Sequence, residues 1–116
     1  MMEPVENLLR EVLRIGDERG VTQIRARHLP DAVMADLMQQ THAYALAHAA
    51  KADLHGWLIF REGIEPWWRE EGGLTKGEFS RVYLLRTDVV KRLTTQGLAS
   101  RHHPRSTLLY VRRAID

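Results

Sequence analysis

The longest helical pattern in the chain, "PDAVMADLMQQTHAYALAHAAKADLHG" from Pro30 to Gly56, sets the first constraint on what it can fold into. The segment is rich in Ala, Leu, Met and Gln. It opens with Pro and closes with Gly, which favour the first helical turn and the position just past a helix end. Met34, Leu37, Thr41, Tyr44 and His48 recur on one predicted face, with Ala45 and Ala49 beside them. Those small residues let a second helix approach closely. A partner is at hand in "EPVENLLREVLRIGDERG", where Pro4 sits in the first turn and Gly20 just beyond the last. Val5, Leu8, Leu9, Val12 and Ile15 form its single apolar stripe.

Between and after these helices the signals are weaker. "VTQIRARHL" holds β-branched residues with loose alternation, compatible with a short strand or an extended connection. Trp57 to Phe60 reads equally as a buried strand or a helix start, and Pro66 can open a short helix carrying Trp67 and Trp68. Gly72 and Gly73 mark a break. No internal repeat is visible. A length of 116 residues suits one hydrophobic core. The absence of cysteine removes thiol catalysis, disulfides and cysteine-bound zinc. No window approaches the ~20 apolar residues of a membrane span, and the first residues lack a signal-peptide pattern. The expectation is a cytoplasmic protein.

Charge is divided unevenly along the chain. From Met1 to Thr75 there are 8 Lys/Arg and 12 Asp/Glu, a balance of −4, and from Lys76 to Asp116 there are 9 and 3, a balance of +6. Arg86 to Ser106 holds five of those cations, Arg86, Lys91, Arg92, Arg101 and Arg105, with Asp88 as the only acid. Such a split suggests a polyanionic partner for the C-terminal part.

That part reads as helix, turn, helix and hairpin. Phe79, Val82 and Tyr83 give a short helix an apolar face, and Ser80 leaves room for a second helix to approach. Leu85 falls in the turn, Thr87 or Asp88 caps the second helix, and Val90 and Leu93 point inward. Gly97 ends that helix, Pro104 suits a hairpin turn, and "STLLYVRR" has strand composition.

With Val90, Leu93, the run "QGLA" at Gln96 to Ala99 and the closing "LLYVRRAID", the segment Leu74 to Asp116 resembles the winged helix-turn-helix domains of the excisionase and MerR-type regulator group. In that group, an aliphatic residue of the recognition helix is followed three residues later by an apolar one and four further on by Gly-Leu. The turn slot here holds Leu84, where many such units carry Gly. The resemblance implies a mainly α fold with a small β-hairpin: a C-terminal winged helix-turn-helix, 74–116, packed with a helical N-terminal part, 1–73, that serves packing or dimerisation. It also implies sequence-specific binding of double-stranded DNA by a transcriptional regulator or mobile-element accessory factor, as a homodimer. Thr87, Asp88, Lys91, Arg92 and Thr95 would face the major groove, and Arg101, His102, His103 and Arg105 would lie on the wing.

Other classes have less to stand on. His42, His48 and His55 are six and seven residues apart, not the four that brings two rings to one metal, so neither metal nor cofactor is expected. Glu62, Glu65, Glu70 and Glu71 come with no phosphate loop or nucleophile motif, so no enzyme is expected. The competing reading is a protein-interaction module, inhibitor or antitoxin-like, whose working surface is the acidic N-terminal part with its tryptophans. Against that, Trp57, Trp67 and Trp68 near Ile59 and Phe60 read more readily as core or interface.

Overall fold

The first helix, α1 (Glu3–Glu18), buries Val5, Leu8, Leu9, Val12, Leu13 and Ile15, so its expected stripe is the inner face of the fold. A computed structural model describes residues 3–49, 53–54, 57–60, 67–69, 72–101 and 109–112. After α1, "VTQIRARHL" is a connection without a strand, extended at Arg25 and at Leu29. It makes a single 3-10 turn, Ala26–His28, anchored at both sides by buried Ile24 and Leu29. Helix α2 (Asp31–Ala49) follows, with the Pro30 carbonyl accepting from the N–H groups of Val33 and Met34 at its start. Met34, Leu37 and Thr41 are buried on the face read from the sequence. The helix is shorter than its periodic pattern, because Asp53–Leu54 already forms strand β1. Trp57–Phe60 is strand β2, which settles that ambiguity in favour of a strand.

Residues 67–69 are helical, and the two tryptophans there are core. Trp67 is 2% exposed and Trp68 0%; their rings meet edge-on at 5.7 Å, and Tyr44 packs on Trp67 at 5.6 Å. Neither ring therefore lies on the surface of the folded chain.

The larger correction concerns 76–95. The expected turn at Leu85 is absent, and Lys76–Thr95 is one unbroken helix, α3. Val82, Leu85, Val89, Val90 and Leu93 are all buried along one side, which is the continuous stripe of a long helix. Its N-cap is Thr75, not Thr87 or Asp88, which stand mid-helix. Ser80 is exposed and donates to the Lys76 carbonyl, so it is not the small contact between two helices.

The end of α3 is where it was expected. Gly97 takes φ 73, its N–H reaches the Thr94 carbonyl, and the Leu98 N–H reaches the Leu93 carbonyl. That pair of bonds is the Schellman closure, whose left-handed residue is cheap only for glycine. It turns the chain directly into β3 (Ala99–Arg101), which pairs antiparallel with β4 (Leu109–Arg112). The hairpin does not stand alone. β4 also pairs with β2, from Trp57↔Arg112 to Phe60↔Leu109, in an antiparallel sheet of order β1-β2-β4-β3. The order helix then hairpin thus occurs twice, as α2 with β1 and β2 and as α3 with β3 and β4, and the inner strands of the two hairpins join. The fold is mainly helical with a small antiparallel sheet.

One core unites the pieces on either side of Gly73. Residues of α1 and α2, Ile24, Trp67, Trp68, α3 and Ala99 belong to a single buried cluster. The Cα radius of gyration, 13.9 Å, is close to the roughly 13 Å of a compact chain of this length. Among the described residues no helix is long and apolar enough to cross a membrane.

Because Leu85 is fully buried within α3, Leu85→Ala should cost about 2–5 kcal/mol of unfolding free energy in a denaturant titration. A loss below ~0.5 kcal/mol, as expected of a surface turn residue, would contradict the continuous helix.

Candidate nucleic-acid interface

Helix α3 is fixed to the N-terminal segments at three points, and these decide which side is left outward. At its start, Thr75 Oγ1 accepts from the Glu78 N–H at 3.2 Å while Glu78 Oε1 accepts from the Thr75 N–H at 3.1 Å. This reciprocal capping box satisfies two backbone donors that a helix start leaves open. Arg10 of α1 joins it, donating to Glu78 Oε2 at 2.6 Å and to the Gly73 carbonyl at 3.2 Å. One turn into α3, the Arg81 guanidinium donates to Asp17 Oδ1, the Val21 carbonyl and the Thr22 carbonyl at 2.8–3.0 Å. Gly16 makes room for this, since a Cβ there would lie 2.7 Å from Arg81 Nη2 and 2.6 Å from Ile24 Cδ1. Further along, Asp88 Oδ2 accepts from the Ala26 N–H at 3.3 Å and holds the 3-10 turn against the helix.

The opposite side of α3 is an exposed ridge of Ser80, Tyr83, Thr87, Lys91 and Thr95, one residue per turn. Tyr83 is 37% exposed, the only large apolar side chain so exposed among the described residues. Arg86 lies over its ring at 4.5 Å, Phe79 meets it edge-on at 5.8 Å, and Arg69 lies over Phe79 at 5.5 Å. Thr87 Oγ1 donates to the Tyr83 carbonyl and Thr95 Oγ1 to the Lys91 carbonyl. With their protons committed to the helix, these hydroxyls present lone pairs and methyl groups outward. Lys91 is exposed and Arg92 half-buried, and among the described residues neither head group has an ion-pair partner.

Of the residues read as DNA contacts, Thr87, Lys91 and Thr95 are brought onto this one ridge. Asp88 and Arg92 lie together, one turn apart, on the flank beside the 3-10 turn. Arg101 ends β3. His102, His103, Pro104 and Arg105 lie outside the described residues. Three residues that the sequence reading left out join the surface. Arg86 comes through Tyr83, three residues before it, and Arg25 and Arg27 come through the bond from Ala26 to Asp88. A signal was present in "IRARHL", where two arginines alternate inside a pair of apolar anchors. Among the described residues no three of His, Asp or Glu converge as metal ligands would.

No family model, curated protein or solved structure matches this chain.

The capping box carries a pH dependence. The Thr75 N–H, and after it the Arg10 guanidinium, hold the Glu78 carboxyl below its ordinary value of 4.5. A carboxylate with a depressed folded value stabilises the fold fully above that ordinary value, and the contribution is lost as pH falls through the folded value. Glu78→Gln should therefore flatten the acid limb of a stability profile relative to the wild type. Parallel acid limbs would show that the bonds to Glu78 carry no charge-dependent stability.

Proposed function

We propose that the protein binds double-stranded DNA through the outward ridge of α3, with the β3–β4 hairpin beside it as a wing. The observation that carries this is the state of Lys91 and Arg92. Two cations without ion-pair partners among the described residues sit on the last turns of a helix that passes through Gly97 directly into an antiparallel hairpin. A helix entering the major groove needs donors and small polar groups outward and an apolar stripe behind them. Lys91 supplies the donor for guanine or phosphate, Thr87 and Thr95 supply acceptors and methyls for amino groups or thymine, and Tyr83 with Arg86 supplies a stacked edge.

In this reading the winged unit is built differently from the pattern in the sequence. The turn before the recognition helix is the stretch Gly72 to Thr75, preceded by the helical residues 67–69, and α3 as a whole is the recognition helix. Asp88 has a positioning role through Ala26 and is not a reader of bases. Arg101, at the end of β3, belongs to the wing, where cations add salt-dependent affinity. A transcriptional regulator or mobile-element accessory factor is the functional class. Pairing of two copies would set two α3 helices about 34 Å apart on a palindromic site.

The test is fluorescence anisotropy with labelled duplex DNA across a salt series, using the wild type and Lys91→Glu/Arg92→Glu. The charge-reversed variant should fold normally and bind roughly tenfold or more weakly, with the wild type itself weakening as salt rises. Equal binding by the two proteins, or wild-type binding indifferent to salt, would overturn the proposal.

A further inference from the structure

We propose that the 3-10 turn is a second phosphate-binding element, with Arg25 and Arg27 gripping one backbone of the duplex beside α3. The inference rests on the reading of α3 as the groove-binding helix. It adds a surface from the acidic half of the sequence, where no nucleic-acid contact was expected.

Arg25 and Arg27 precede Lys91 and Arg92 by more than sixty residues, yet Ala26, between them, donates its N–H to Asp88 Oδ2 at 3.3 Å. Lys91 is three residues and Arg92 four residues beyond Asp88, on the turn directly above it. The backbone bond from Ala26 to Asp88 thus brings two cation-bearing segments, Arg25 with Arg27 and Lys91 with Arg92, to one side of α3. Among the described residues none of the four is held in an ion pair, whereas Arg10, Arg14 and Arg81 each are. Among the described residues no ion pair offsets this local excess of positive charge.

The turn is also held rigidly enough to act as a clamp. Ile24 is 0% and Leu29 6% exposed, so both ends of "IRARHL" are sunk in the core. Arg81 fixes the preceding carbonyls of Val21 and Thr22, and His28 Nδ1 accepts from the Arg25 N–H at 2.9 Å. An arginine on backbone already fixed gives up less freedom on binding. Guanidinium groups suit phosphate, because their forked donors engage two oxygens at once. A helix lying in a major groove about 12 Å wide has a phosphate backbone on each side. The 3-10 turn stands on one flank of the α3 ridge, the side on which a phosphate backbone would run, while on the other the half-buried Arg86 lies over Tyr83 with its Nε closed off from solvent.

Two variants of the full chain test this, each measured by anisotropy on two duplexes of unrelated sequence over a salt series. Arg25→Ala/Arg27→Ala should weaken binding to both duplexes by the same factor and lower the slope of log K against log salt by about 1.8, or ~0.9 for each lost phosphate contact. Asp88→Asn keeps an acceptor for Ala26 while removing the carboxylate from the centre of the patch. It should tighten binding several-fold, a gain that misfolding cannot imitate. Wild-type binding left unchanged by the double arginine variant, or not tightened by Asp88→Asn, overturns the phosphate clamp while leaving α3 as the binding helix. Absence of duplex binding by the wild type overturns both.

Discussion

Burial of one side of α3 is the constraint on which the rest of the structure depends. Val82, Leu85, Val89, Val90 and Leu93 are each worth roughly 1.5–3 kcal/mol when removed from water, as an upper estimate. An exposed ion pair such as Arg10 with Glu78 contributes about 0–1 kcal/mol. The apolar stripe therefore sets the rotation of the helix, and the polar bonds at Glu78, Arg81 and Asp88 refine its position. Once that side is committed to the core, the ridge from Ser80 to Thr95 has no alternative but to face solvent. The composition of that ridge then decides what the protein can meet.

The charge division along the sequence is not a division of the fold. Strand β2, from the acidic part, pairs with β4, from the basic part, and one core cluster draws on both. Three acidic groups of α1 serve local and tertiary pairs, Glu11 and Glu18 with Arg14 and Asp17 with Arg81. Arg25 and Arg27 make no such pair among the described residues. A tally by halves therefore does not describe the folded chain, in which the 3-10 turn of the acidic part is bonded to the basic helix.

Local patterns made much of this legible. The stripe of α1, the face of α2 at Met34, Leu37 and Thr41, the inward Val90 and Leu93, the stop at Gly97, the strand at Leu109–Arg112 and the core position of Trp67 and Trp68 are each signalled by residue type and spacing within a short window, although the burial itself is tertiary, as Tyr44 on Trp67 shows. The errors have equally physical sources. Thr87 and Asp88 can cap a helix, but they are also tolerated inside one when Thr87 bonds back to Tyr83 and Asp88 finds Ala26. The stronger capping signature was "TKGE" at Thr75 to Glu78, and Leu84 and Leu85 offered no residue suited to a turn. The joining of β2 to β4 and of Ala26 to Asp88 spans about fifty to sixty residues, and no periodicity announces such partners. The duplicated order of helix and hairpin was hidden for the same reason: it lies in the backbone layout and not in repeated residues.

The proposed contact places a nucleic acid on the face of α3 opposite its buried stripe. Amide chemical-shift mapping on addition of duplex DNA measures this most directly. The account requires the largest changes at Ser80 to Thr95 and at Arg25 to His28, with α2 from Ala32 to Gln39 left unmoved. Changes confined to α2, or none anywhere at saturating duplex, would contradict it.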